Sequence, residues 1–248
     1  MALNSLFKKK KNHRQRRQLI AHQQPKSPIS EQYRNIRTNI EFAAVDKNIH
    51  SLMITSAKPS EGKTTTTANM AVVFAQQGKK VLLIDADMRK PAMHQMFQTD
   101  NIFGLTNVLT HSERLEKCVQ KTAVDNLHFL ACGPIPPNPA ELLGSKSMQE
   151  LLAQVYSMYD LVIIDLPPIL AVTDAQIMAN VCDASILVVR SEATEKEAAV
   201  KAKGLLESAK GKLLGVVLND REREHGLYYY YGANYLNMRL ISYSREKR

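Results

Sequence analysis

An α/β domain of three layers, a mostly parallel central sheet with helices on both faces, is the fold the sequence predicts. Three observations predict it. Short continuous runs of Val, Ile and Leu recur along the chain, amphipathic stretches separate them, and several of the runs end in acidic or Gly-Lys-Thr segments. Runs without polar alternation are apolar on both sides, as strands in a helix-covered parallel sheet must be. Ligands of such sheets collect at the carboxyl ends of the strands, so chemically loaded residues belong just after them.

With 248 residues and 44% hydrophobic content, the chain can bury one large core. We expect a domain over residues 29–220, preceded by a basic, disordered tail over 1–28 and followed by a flexible tyrosine-rich tail over 221–248. The net charge of +9 is misleading until it is placed along the chain. Residues 1–30 hold eight Lys or Arg and no acid, whereas 31–238 hold 21 basic and 23 acidic residues. The body therefore lacks the basic field that nucleic acid requires, and no nucleic-acid partner is expected. The run Lys8-Lys9-Lys10-Lys11 with Arg14, Arg16 and Arg17 suits either an anionic lipid surface or a solubilising tail. No apolar run approaches the roughly 18 residues of a membrane span, and the amino terminus lacks an apolar segment behind its charges, so a cytoplasmic chain is expected. Cys118, Cys132 and Cys182 are far apart and without metal-site spacing, and read as reduced, buried thiols.

The elements follow in order. From Ser30, Tyr33, Ile36, Ile40 and Ala43 or Ala44 recur at helical spacing, with Glu31, Arg34, Arg37 and Glu41 on the other side. Strands are expected at 51–55, 80–85, 127–131, 161–165, 185–190 and 214–219. Helices are expected between them at 63–77, 139–156, 173–181 and 194–210. Gly78 stands where a left-handed helix cap is needed. Asn138-Pro139-Ala140-Glu141 has the order of an N-cap, a first-turn proline and an acidic third position.

Chemistry concentrates after three of the strands. Ser60-Glu61-Gly62-Lys63-Thr64-Thr65 joins a buried strand to a helix as a phosphate-binding loop does. There, backbone N–H groups surround phosphates, Lys63 neutralises them and the Thr64 hydroxyl ligates Mg²⁺, which makes Mg-ATP the expected ligand. Ala57 replaces the usual first glycine, so the loop entry is expected to follow a different path. The second and third sites are Asp85-Ala86-Asp87 and Asp165-Leu166-Pro167-Pro168. Three buried strands ending in Gly-Lys-Thr, Asp-x-Asp and Asp are costly unless a cation compensates the carboxylates. Asn219, at the end of the last expected strand, is placed with the nucleotide-binding residues.

Six of the nine tyrosines fall in the last 21 residues: Tyr228, Tyr229, Tyr230, Tyr231, Tyr235 and Tyr243. Four in a row suit neither a helix stripe nor one face of a strand. Spacing alone leaves an adhesive tail and a phosphoacceptor segment equally open. Nine residues of extended chain from Asn219 span up to about 30 Å, enough to return to the same site or reach a neighbour's.

The phosphate loop, the segment Asp85-Ala86-Asp87-Met88-Arg89-Lys90-Pro91, the Asp165-Leu166-Pro167-Pro168 segment, Gly133-Pro134-Ile135-Pro136-Pro137-Asn138-Pro139-Ala140-Glu141-Leu142-Leu143 and the tyrosine-rich end together resemble the bacterial tyrosine kinases of capsule and exopolysaccharide synthesis. The resemblance runs from about Ile29 to the carboxyl terminus and is to the form whose kinase is separate from its membrane activator. It implies a deviant-Walker P-loop NTPase fold like that of partitioning ATPases, and protein-tyrosine kinase activity with ATP and Mg²⁺. It further implies Tyr228 to Tyr231 and Tyr235 as acceptors, a transmembrane modulator that recruits the kinase to the inner face of the membrane, and tyrosine-bearing protein substrates. Asp85 would accept or orient the phenol proton, and Asp87 and Asp165 would serve the metal; the residues themselves leave open which aspartate is base and which is ligand. Glu31, Arg34 and Arg37 are similar to the family's intersubunit motif for a ring of kinases, although their spacing alone fits an intrahelical pair. Two other readings compete. One is a partitioning ATPase, supported by Lys58 five residues before Lys63; the other is an ATP-gated assembly subunit.

Overall fold

The computed structural model describes residues 18–44, 49–221 and 237–242. In chain order the elements are α1 (Ile20–Gln23), α2 (Pro28–Ala43), β1 (Ser51–Ser56), α3 (Lys63–Gln76), β2 (Val81–Asp85), α4 (His94–Phe97), α5 (Leu105–Leu109) and α6 (Leu115–Cys118). They continue with β3 (Val119–Lys121), β4 (Leu127–Leu130), α7 (Pro139–Leu143), α8 (Lys146–Tyr156), β5 (Leu161–Asp165), α9 (Asp174–Ala179), β6 (Ala184–Arg190), α10 (Lys196–Glu207), β7 (Lys212–Arg221) and β8 (Asn237–Ser242).

The sheet has the order β3-β4-β2-β5-β1-β6-β7-β8. Its six inner strands are parallel, and β3 and β8 close the two edges antiparallel. All six expected strands are present, and successive residues of one strand feed two separate cores. Leu52, Ile54, Leu83 and Ile163 face the layer of α2 and α3, while Met53, Leu82, Ile84, Val162 and Ile164 join Met148, Leu151, Val155 and Met178 of the opposite layer. This double burial is why the strands read as unbroken apolar runs.

Helix α3 is buried from Thr66 through Ala75, so its outer side also needs cover. Tyr33, Ile36 and Ile40 of α2 supply part of it, as the helical spacing predicted. The rest comes from a segment expected to be disordered. Leu19 and Ala21 are buried against the same core. The Asn69 amide binds this segment through its backbone: Oδ1 accepts from Ala21 N at 2.9 Å, and Nδ2 donates to Gln18 O at 3.0 Å. Residues 18–27 therefore belong to the domain, and the basic cluster Lys8 to Arg17 lies outside the described residues. At the other end, six residues of the expected tail form β8, paired with β7 from Gly215↔Ser242 to Arg221↔Asn237.

The helix expected over 139–156 is two. Gly144 ends the first, and Ser145 starts the second by accepting from Met148 N at 3.3 Å. Asn138 makes no side-chain cap; its amide instead donates to Glu141 Oε2 at 3.1 Å. Gly78 does take the left-handed conformation, with φ +100°. The three cysteines are buried thiols, and among the described residues no helix is long and apolar enough to cross a membrane.

Candidate active site

Strands β2, β5 and β1 are neighbours, which brings three chemically loaded ends to one place. Asp85 and Asp165 are register partners, and Ala86 N donates to Asp165 O at 2.9 Å as the last rung before the strands part. The loop between β1 and α3 wraps the adjoining end. Its left-handed positions are Ser60 (φ 67°) and Gly62 (φ 94°). Ala57 is not one of them and is fully buried, so a methyl there is accommodated without strain.

The loop is tied down from two sides. The Glu61 carboxylate, 4% exposed, accepts from Lys58 N at 2.9 Å and from Thr194 Oγ1 at 2.5 Å. Asn219 Nδ2 donates to Glu61 O at 3.0 Å from the end of β7. A Cβ on Gly62 would stand 2.1 Å from Asn219 Nδ2. Gly62→Ala is therefore expected to strain the left-handed backbone by about 1–2 kcal/mol and to displace Asn219. The result should be a loss of nucleotide affinity of about tenfold or more, measurable by titration of a fluorescent ADP analogue.

Lys63 is the centre of the site. Its Nζ lies 2.8 Å from Asp87 Oδ2, 3.1 Å from Asp165 Oδ2 and 3.1 Å from Thr64 Oγ1. Burial alone would lower its pKa, but Asp165 and Asp87 outweigh burial and raise it, so the ammonium stays charged. Asp165, 1% exposed, also accepts from Thr64 Oγ1 at 2.7 Å and Thr67 Oγ1 at 3.0 Å. Asp85 is placed differently. Its Oδ1 accepts from Asp87 N at 3.2 Å, and its Oδ2 from Ala92 N at 3.2 Å and Met93 N at 3.1 Å. Burial and the neighbouring Asp165 push its pKa up to about 7, against the pull of Met93 N–H and Lys63.

Of the residues picked from the sequence, Glu61, Gly62, Lys63, Thr64, Asp85, Asp87, Asp165 and Asn219 converge here. Ser60 is exposed on the loop, and Thr65 sits in the first turn of α3 with its carbonyl bound by Asn69 Nδ2 at 2.9 Å. Glu31, Arg34 and Arg37 do not belong to this site. Glu31 and Arg34 form an intrahelical pair at 3.4 Å, and Arg37 turns inward to donate to Val73 O of α3 at 2.7 Å. Tyr228 to Tyr231, Tyr235 and Tyr243 lie outside the described residues. The sequence reading missed Thr67, which its position one turn after Thr64 could have revealed. It also gave no role to Arg89, which clasps Asp174 with Nε 3.0 Å and Nη2 2.8 Å from the carboxylate.

A donor-rich helix start, a buried ammonium, one hydroxyl and two carboxylates fit a magnesium–polyphosphate ligand by the chemistry of the set. Comparison with known proteins agrees in kind. The AAA domain family model matches residues 49–201. The tyrosine-protein kinase YwqD of Bacillus subtilis is 57% identical over 92% of this chain and 96% of its own. The tyrosine-protein kinase wzc of Salmonella typhimurium is 38% identical over 87% of this chain but only 30% of its own length. Among solved structures, the kinase domain of the Escherichia coli tyrosine kinase ETK superposes with a TM-score of 0.80 at 35% identity, covering 87% of this chain and 84% of that one. MinD of Pyrococcus horikoshii, complexed with Mg-ADP, gives a TM-score of 0.61 at 26% identity, over 71% of this chain and 72% of its own. The chain belongs to the bacterial tyrosine-protein kinase family.

Proposed function

We propose that this kinase transfers the γ-phosphoryl group of Mg-ATP to tyrosines of its own carboxyl-terminal region, Tyr228 to Tyr231 and Tyr235. The observation that carries the reading is the Lys63 ammonium at the start of α3, bonded at once to Thr64, Asp87 and Asp165. Phosphate oxygens would take over Lys63, and the two carboxylates with the Thr64 hydroxyl would be left to hold Mg²⁺. The metal, when bound, neutralises charge building on the phosphate oxygens. Asp85 is the proposed acceptor of the phenol proton, since a pKa near 7 suits general-base work at neutral pH. The tyrosine oxygen forms its bond to phosphorus as the bond to the ADP oxygen breaks. The P-loop residues Ser60 to Thr65 and Asn219 are the proposed nucleotide contacts.

The two ends of the segment that carries the acceptors are close by. The connection from Arg221 to Asn237 leaves and re-enters the sheet at paired residues beside Asn219, which touches the P-loop. Seven extended residues from Arg221 to Tyr228 reach up to about 24 Å. Incubation with Mg-ATP followed by peptide mass spectrometry should find phosphotyrosine at 228–231 and 235, and replacing those five by Phe should remove most of it. Free phosphate without phosphotyrosine would instead support the partitioning-ATPase reading. Lys58, the residue favouring that alternative, is bonded to Glu195 of its own chain at 2.9 Å.

The wider setting follows the resemblance. The wzc relative is over three times longer than the part it shares with this chain, which supports a separate transmembrane modulator that recruits the kinase to the inner face of the membrane. Further tyrosine-bearing substrates and a role in capsule or exopolysaccharide synthesis belong to the same proposal. So does a ring of kinases joined through Glu31, Arg34 and Arg37. Four phosphotyrosines would add about −6 to −8 charges to one segment and drive such a ring apart; an unchanged assembly mass after phosphorylation would contradict this.

A further inference from the structure

We propose that Arg89 is a positioning residue for Asp87, locked to Asp174 so that Asp87 keeps its place in the metal-binding set when Lys63 turns to the phosphates. The inference rests on the reading of Asp87 as a metal ligand.

Three carboxylates crowd this rim, and they are not held alike. Asp85 and Asp165 sit on the β2–β5 ladder and are fixed by the backbone up to the rung from Ala86 N to Asp165 O. Asp87 stands beyond that rung. Its N–H is bonded to Asp85 Oδ1 at 3.2 Å, but its carboxylate is held by Lys63 Nζ at 2.8 Å and Lys90 N at 3.1 Å. Lys63 is the group a phosphate competes for, so nucleotide binding weakens one of these two holds. Until a metal is seated, like-charge repulsion from Asp165 then pushes Asp87 outward.

The Arg89–Asp174 clasp opposes that movement. Arg89 lies two residues after Asp87, and its guanidinium meets the Asp174 carboxylate through two parallel bonds of 3.0 and 2.8 Å. Such a fork fixes direction as well as distance. Asp174 is fully buried at the start of α9, in the segment that follows Asp165, while the Arg89 side chain is 39% exposed. The clasp therefore ties the loop bearing Asp87 to the segment leaving β5, at a point that phosphates do not contest. A partner acting on a metal through its ligand typically changes metal affinity by about 10- to 100-fold.

The test uses the full chain with ADP and Mn²⁺ as the spectroscopic probe, reading free Mn²⁺ by electron paramagnetic resonance, with melting temperature measured in parallel. Arg89→Lys keeps a cation beside Asp174 but loses the fork. It should bind Mn²⁺ about tenfold or more weakly, with melting temperature and metal-free ADP binding near those of the parent. Arg89→Leu should lose both metal affinity and thermal stability, because it strands a buried carboxylate. The double change Arg89→Leu with Asp174→Leu should regain the stability without the Mn²⁺ affinity. Recovery of both in the double variant, or parental Mn²⁺ affinity in Arg89→Lys, would overturn the proposal. Asp87→Asn is the control for the underlying reading: undiminished Mn²⁺ binding there removes Asp87 from the metal set, whatever Arg89 does.

Discussion

Replacing Lys63 by Met is expected to reduce tyrosine phosphorylation by about 10²- to 10³-fold or more, the scale for deleting one preorganised charge-stabilising donor. The same change is expected to destabilise the ligand-free protein, and the two losses have different origins. Catalysis loses the cation that neutralises the transferring phosphoryl group. The fold loses the counter-charge of Asp87 and Asp165, which Lys63 holds at 2.8 and 3.1 Å with only 12% of its side chain exposed. Removing one partner of a buried ion pair costs about 3–5 kcal/mol, because the stranded charge stays buried. Among the described residues, Asp165 keeps Thr64 and Thr67 as donors, whereas the Asp87 carboxylate keeps only the Lys90 N–H. Burial already raises the Asp165 carboxyl against the pull of Lys63, so without Lys63 it will take up a proton more readily and the deficit should shrink as pH falls. Mass spectrometry of the tyrosine peptides reads the first effect, and thermal unfolding in EDTA at pH 8 and pH 5 reads the second. Full activity in the variant would refute the proposed role of Lys63 outright. Unchanged melting would mean that Lys63 does not neutralise the ligand-free site.

The division between what the sequence disclosed and what it hid follows sequence distance. β1, β2, β5 and β6 were legible because burial on both faces leaves a continuous apolar run, and the ends of β1, β2 and β5 were legible because acids after such runs need a cation and Gly-Lys-Thr needs an anion. β3 was missed because Val119-Gln120-Lys121 is a short, half-exposed edge strand with no apolar signature. β8 was missed because the tyrosine cluster made the whole region read as a tail. The docked start of the domain was hidden for another reason: Leu19 and Ala21 are too few to make a stripe, and their seat depends on Asn69, 48 residues from Ala21. The split at Gly144-Ser145 had a local signal, a serine cap, that the apolar periodicity on both sides concealed. Glu61 was assigned to the nucleotide as a loop residue, yet its carboxylate is spent on Thr194, 133 residues away. Arg89 and Asp174 are 85 residues apart. Pairings of this kind carry no periodicity and no motif spacing, so only the assembled sheet brings them into view.

Asp85→Asn should separate catalytic use of the site from its cost to the fold. Loss of a general base lowers the rate by about 10²- to 10⁴-fold. In the metal-free, ligand-free protein, however, the same change should stabilise at alkaline pH and destabilise at acid pH. The sign follows from the Asp85 carboxyl, raised from 3.8 to about 7 by burial and by Asp165. Between those values the unfolded chain has released its proton and the folded chain retains it. Folding therefore takes up a proton, and stability falls as pH rises from about 4 to about 7, with the penalty complete above that. Asparagine is neutral throughout and escapes a penalty on the order of a few kcal/mol. It loses something else, since one amide oxygen cannot serve the N–H groups of Asp87, Ala92 and Met93 that two carboxylate oxygens now accept. One stranded donor costs about 1–3 kcal/mol at any pH. At pH 8 the relief of charge exceeds that loss, whereas near pH 4 the parent is protonated as well and only the loss remains. The two stability curves should therefore cross. Thermal unfolding of both proteins in EDTA from pH 4 to pH 8 decides the matter: parallel curves would show that Asp85 is not the group that takes up the proton, and with that its candidacy as the base would lose its physical support.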